Sequence, residues 1–128
     1  MAERVPSDHQ VLPNDAIVVR GGLMESAVLA RNIATHALHC PDDPPTLSVA
    51  CHPEWDVETT LREAAFILNA QVRVSTVGAI RALGHEVEPL GRPPHASLKL
   101  GAEPSEEVYD DLRDVFSAPR SRQGADDD

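Results

Sequence analysis

The sequence predicts one α/β (or α+β) domain, a single mixed β-sheet of about four to five strands flanked by helices, in the order β-α-β-α-β-α-β-β-α. Three observations carry this. The chain is 128 residues long, near the modal size of one domain and too short for two independent cores. Hydrophobic residues make up 41% and charged residues 25%, which are ordinary globular proportions. Short β-branched runs alternate with stretches of helical periodicity, and most are closed by glycine, proline or a capping residue.

Residues 1–14 are polar, carry Pro6 and Pro13 and show no periodicity, so an extended N-terminal arm is expected there. The domain is expected over 15–117. The first strand is Ala16 to Arg20, stopped by Gly21-Gly22. Leu23, Ala27, Ala30, Ala34 and Ala37-Leu38 then recur at helical spacing through about residue 39, and Pro41-Asp42-Asp43-Pro44-Pro45 breaks the helix. Leu47 to Cys51 reads as a second strand. Asp56 is suited to cap a second helix, whose apolar positions are Val57, Leu61, Ala64-Ala65 and Leu68.

Gln71 to Ser75 alternates as a half-exposed strand does. Thr76 is placed to cap a short helix, Val77 to Leu83, which Gly84 closes. His85 to Leu90 and His95 to Leu100 read as a hairpin around the turn Gly91-Arg92-Pro93-Pro94. Ser105 caps a final helix with Val108, Leu112 and Val115-Phe116 on one face and Glu106 and Glu107 at the positive end of its dipole. Over 118–128 a disordered acidic tail is expected.

Aromatic content is only 3%, so the core must be built from Ala, Val, Leu and Ile, and a core that thin suggests a homo-oligomer or a protein partner. Net charge is −10, which argues against non-specific nucleic-acid binding, because neutralising phosphates requires a basic face. From Gly101 onward nine acids stand against three arginines, so the preceding part is only mildly acidic. No run reaches the roughly 18 to 20 apolar residues that span a bilayer, and residues 1–4 do not begin a secretory signal. A cytoplasmic location follows as the expectation, with Cys40 and Cys51 reduced.

Chemistry could sit in several places. His36, His39, Cys40, Cys51 and His52 include zinc-ligand types, but the spacing is not that of a ribbon or finger, so no metal is expected. Arg20-Gly21-Gly22 joins a strand to a helix, where glycines allow close backbone approach and free amides hold an anion. It is neither a dinucleotide fingerprint nor a P-loop. Arg73, Ser75 and Thr76 form a second strand end meeting a helix start. Were the two strands neighbours, both ends would line one edge of the sheet, where open α/β folds bind ligands. His95 is placed as a further ligand-binding or basic residue. These seven positions are the candidate ligand site; no catalytic residue is identified.

Arg20, Ser75-Thr76 and Glu86-Val87-Glu88 together resemble the Arg-Ser-Glu class of ADP-ribosyltransferases, and the resemblance implies NAD binding. Val77 stands where that family has the second serine of Ser-Thr-Ser, and Glu86 follows sooner than the family's catalytic turn. The sequence therefore carries two expectations. The first is an accessory or regulatory protein working through protein-protein contacts, with no cofactor, using the acidic stretch Glu106 to Asp114 and Asp126 to Asp128. The alternative is a small nucleotide- or NAD-binding enzyme with its site at the Arg20 and Ser75 sheet edge.

Overall fold

The computed structural model describes residues 12–64, 67–90 and 94–121. Its elements follow the predicted succession with one strand added: β1 (Ile17–Gly21), α1 (Ser26–His39), β2 (Thr46–His52), α2 (Val57–Glu63), β3 (Gln71–Thr76), α3 (Val77–Ala82), β4 (Glu86–Pro89), β5 (His95–Lys99), α4 (Glu106–Asp114) and β6 (Arg120–Ser121). The six strands form one sheet in the order β4-β5-β2-β1-β3-β6.

Every pairing in the sheet is antiparallel, which corrects the expectation of a mixed sheet of four to five strands. A helix between two strands usually returns the chain for a parallel pairing. Here α1 does not run the length of the sheet. Asn32, Thr35 and His36, from its middle onward, lie with Arg20 at the end of β1 and Thr46 and Ser48 at the start of β2. The chain therefore enters β2 at the end of the sheet where β1 finished, and the two strands pair in opposite directions, Val18 opposite Cys51 and Val19 opposite Ala50. The expected hairpin of β4 and β5 is present, with Val87 opposite Leu98.

Alternation along the strands divides the core in two. Val18, Leu47, Val49, Cys51, Val87, Ala96 and Leu98 face α1, α3 and α4, which contribute Leu29, Ile33, Val77, Ile80, Tyr109 and Leu112. Val19, Ala50 and Val72 face the other way, against Leu61, Ala64 and Ile67. Helix caps fall where the sequence placed them. Asp56, Thr76 and Ser105 accept from the backbone N–H of Thr59, Ala79 and Val108.

Other boundaries differ. The buried residues of α1 are Leu29 and Ile33, and the alanine stripe of Ala27, Ala30, Ala34 and Ala37 faces solvent. A buried Leu or Ile yields about 1.5–3 kcal/mol, far more than Ala can offer, so the larger side chains set the face. Helix α2 ends at Glu63 rather than near Leu68, which is 86% exposed. Leu12, expected in the arm, is fully buried in the core, and the Leu12 carbonyl and Asn14 Oδ1 accept from Arg81. Arg120 and Ser121, expected in the tail, pair with Val72 and Gln71. The remainder of the arm (1–11), the remainder of the tail (122–128) and most of the turn at 91–94 lie outside the described residues. Among the described residues no helix is long and apolar enough to cross a membrane.

Candidate functional site

The ladder between β1 and β2 ends at Val19 and Ala50. Beyond it the Arg20 side chain lies at the end of the sheet, on the α1 side, because it shares the face of Val18. Its Nη1 donates to the Ser48 carbonyl at 2.7 Å and its Nη2 donates to Asn32 Oδ1 at 2.5 Å. These are two of the five N–H groups of a guanidinium. Nε is buried and, among the described residues, has no hydrogen-bond partner.

Arg20 is only 8% exposed, and among the described residues no carboxylate pairs with it. Burial pushes its pKa down from 12.5, and no neighbouring charge pushes it back. An arginine stays protonated even so. Among the described residues this buried cation thus meets neutral acceptors alone, an arrangement that costs several kcal/mol when no counter-charge is supplied.

Two open clefts, each of about 390 Å³, flank this guanidinium. The first is walled by Gly21, Gly22, Glu25, Val28, Ile67 and Asn69, and the second by Thr35, His36 and Thr46; Arg20, Asn32 and Ser48 belong to both. Gly21 is needed for the first wall. A methyl on its Cα would collide with the Asn69 side-chain oxygen and press on Ile67. Gly22 and Met24 both take positive φ, 86° and 59°, so the chain turns sharply from β1 into α1. Left-handed backbone costs a residue such as Met about 1–2 kcal/mol, and Met24 offsets it by burying its side chain to 2% exposure.

The turn delivers the start of α1 to the cleft. Glu25, the residue before the helix, makes no side-chain cap, and the first turn holds no acid. The positive end of the helix dipole lies near the cleft, with the Ser26 hydroxyl donating to the Glu106 carboxylate. Glu25 itself is exposed, at the solvent rim.

Of the remaining candidates only Arg73 adjoins Arg20, as its cross-strand partner. β1 and β3 are neighbours but antiparallel, so Arg20 lies opposite Arg73, while Ser75 lies opposite Val18 toward the other end of the pair. The idea that both strand ends share one edge of the sheet fails for that reason. Ser75 Oγ donates to the Val115 carbonyl at 2.7 Å. Arg73 donates from Nε to the Leu23 carbonyl and from Nη1 to the Ser117 carbonyl. Thr76 caps α3. His95 stands opposite Ala50, on the α2 face and one strand further out, away from Arg20.

Glu86 and Glu88 are on β4, with β5 and β2 between them and β1, and they pair with Arg81 and Lys99. The Arg-Ser-Glu constellation is not assembled. Cys51 is buried, its thiol pushed up to about 12, and His52 stacks on Trp55 with ring centroids 4.0 Å apart.

Asn32 and Ser48 are the site residues that the sequence reading missed. Asn32 carried a signal: with Val28 and His36 it forms a half-buried row beside Leu29 and Ile33, and a polar residue on such a row needs a partner. Ser48 acts through its carbonyl, which any residue would supply. Comparison with protein-family models, with curated proteins and with solved structures finds no match to this chain.

Proposed function

We propose that this protein binds a small phosphate-bearing molecule on the scale of a mononucleotide, with the phosphate seated on Arg20. The observation that carries the reading is the buried guanidinium that, among the described residues, has an unpartnered Nε and no paired carboxylate. A phosphate arriving there supplies the missing negative charge in a partly desolvated setting, where charge-assisted hydrogen bonds are about twice as strong as neutral ones. The cleft volume of about 390 Å³ falls within the range of small-molecule sites.

The reading is of a binding protein that performs no chemistry on its ligand. Among the described residues His36 and Ser48 both wall the second cleft but His36 bonds Asp43, not a serine or cysteine, and the glutamates of the ADP-ribosyltransferase resemblance are engaged on β4. Such a protein fits an accessory role, in which ligand occupancy is the signal. Isothermal titration calorimetry with inorganic phosphate, AMP and NAD is the direct test. Binding by AMP that is lost in Arg20→Met supports the reading, and absence of heat with all three refutes it.

A further inference from the structure

We infer that the end of α1 is a metal site, in which His36, Cys40 and Asp43 hold a Zn²⁺ ion with its fourth position open to solvent. The inference rests on a different observation from the Arg20 reading, although His36 also walls the second cleft beside Arg20. One ligand atom from each of the three residues lies within 4.8 Å of the other two.

The backbone makes this juxtaposition. His36 lies on the last turn of α1 and Cys40, four residues on, is the residue that caps the helix. The Cys40 N–H donates to the His36 carbonyl at 2.8 Å, and the Asp43 N–H donates to the Cys40 carbonyl at 3.0 Å. This second turn folds Asp43 back over the helix end. His36 Nε2 and Asp43 Oδ2 are already 2.9 Å apart.

The donor set is suited to zinc: imidazole, thiolate and carboxylate are its three protein ligand types, at bond lengths of about 2.0–2.3 Å. A tetrahedron of those bonds has edges of about 3.3–3.8 Å. The present cluster reaches that size by a shift of about 1 Å in surface side chains, with His36 and Asp43 parting slightly and Cys40 closing in. On binding, the Cys40 thiol gives up its proton to solvent and coordinates as the thiolate. His36 would coordinate through Nε2, the ring nitrogen that faces Asp43.

The other candidates of the sequence cluster are engaged differently. His39 Nδ1 bonds the Thr35 carbonyl, Cys51 is core, and His52 is stacked on Trp55. Three protein ligands and an open position are the pattern of a zinc that also takes up an exogenous group.

The test is titration of the reduced, metal-free full chain with Co²⁺ as a spectroscopic probe and then with Zn²⁺. One equivalent of cobalt should raise a thiolate-to-metal charge-transfer band, and zinc should abolish it by displacement. Cys40→Ser should remove the band. His36→Ala and Asp43→Asn should each weaken zinc binding by at least about tenfold, the lower limit for loss of even a supporting partner. His39→Ala should leave affinity unchanged. The absence of a charge-transfer band overturns the site, as does a band that survives Cys40→Ser. An effect of His39→Ala as large as that of His36→Ala overturns this ligand set in favour of a histidine pair.

Discussion

The β1–β3 pair has two ends, and they use polar residues in opposite ways. Toward one end Ser75 and Thr76 look, in sequence, like site residues, yet both are fully committed to the fold. Ser75 ties β3 to the Val115 carbonyl, and Thr76 starts α3. At the other end Arg20 bonds two neutral acceptors and leaves Nε unpartnered beside open clefts. Residue type does not separate the two ends, but remaining hydrogen-bonding capacity does. A polar side chain whose bonds all close on backbone holds the chain together, whereas one with unmet charge can hold something else.

The largest expected effect lies at the Arg20 end. Arg20→Met keeps the aliphatic stem and removes the charge, so phosphate-bearing ligands should lose about 2–5 kcal/mol, roughly 30- to 5,000-fold in Kd, as truncation of a buried charged partner does. Thermal stability should change far less, because relief of the buried charge offsets the loss of two donors to Asn32 and Ser48. Calorimetry and a melting curve on the same preparation check both halves. A variant that fails to fold while its wild-type parent binds no phosphate would make Arg20 a structural residue like Ser75.

The contrasting variant is Ser75→Ala. It leaves the Val115 carbonyl without its donor and should cost about 1–3 kcal/mol of stability in denaturant unfolding. Ligand affinity should be unchanged. Thr76→Ala removes the cap of α3 and should cost about 1 kcal/mol, again with no effect on ligand. Loss of affinity in either variant would merge the two ends into one site and dissolve the comparison.

These contrasts mark how far the sequence could be read. Strand β1 was legible because Ile17, Val18 and Val19 are β-branched and Gly21-Gly22 ends the run, and the three caps were legible because each offers an oxygen before an apolar period. Strand direction was not legible, since nothing in residues 40–45 states at which end of the sheet β2 begins. Strand β6 escaped because Arg120 and Ser121 carry no strand pattern; their pairing follows from the open edge of β3. In the site, Arg20 and its glycines could be named from sequence. The lack of a carboxylate paired with it among the described residues could not, since that depends on which strands and helices converge around it.

Acid should separate committed from uncommitted groups again, with a smaller effect. His85 is buried and accepts the Gly101 N–H on Nδ1 at 2.9 Å. Burial holds its pKa below the ordinary 6.5, against a weaker pull upward from Asp111. The unfolded chain therefore takes up a proton near pH 6.5 that the folded chain refuses. Stability should be unaffected by His85 above that pH and should fall as pH drops through it. Arg20 stays charged throughout, so its own contribution to the affinity for sulfate, an anion that does not itself titrate there, should remain flat over the window in which stability declines. Urea unfolding as a function of pH, repeated in His85→Asn, checks the assignment: the variant should lose the His85 component of the slope.

The smallest effect tests the rim of the cleft. Glu25 is exposed and makes no cap bond, yet it lines the same cleft as Arg20 and precedes the helix whose dipole favours an anion. Its carboxylate opposes a bound phosphate through solvent, at the strength of an exposed charge pair, about 0.2–1 kcal/mol. Glu25→Gln should therefore tighten phosphate binding by about 1.4- to 5-fold and weaken its dependence on salt little, because the buried contact to Arg20 is screened less than the rim. The sign is what matters. Tighter binding places the ligand's charge on the Arg20 side of Glu25, within reach of the unpartnered Nε. Weaker binding would mean that Glu25 meets a cationic part of the ligand, and the phosphate would have to be replaced by a zwitterion spanning Glu25 and Arg20.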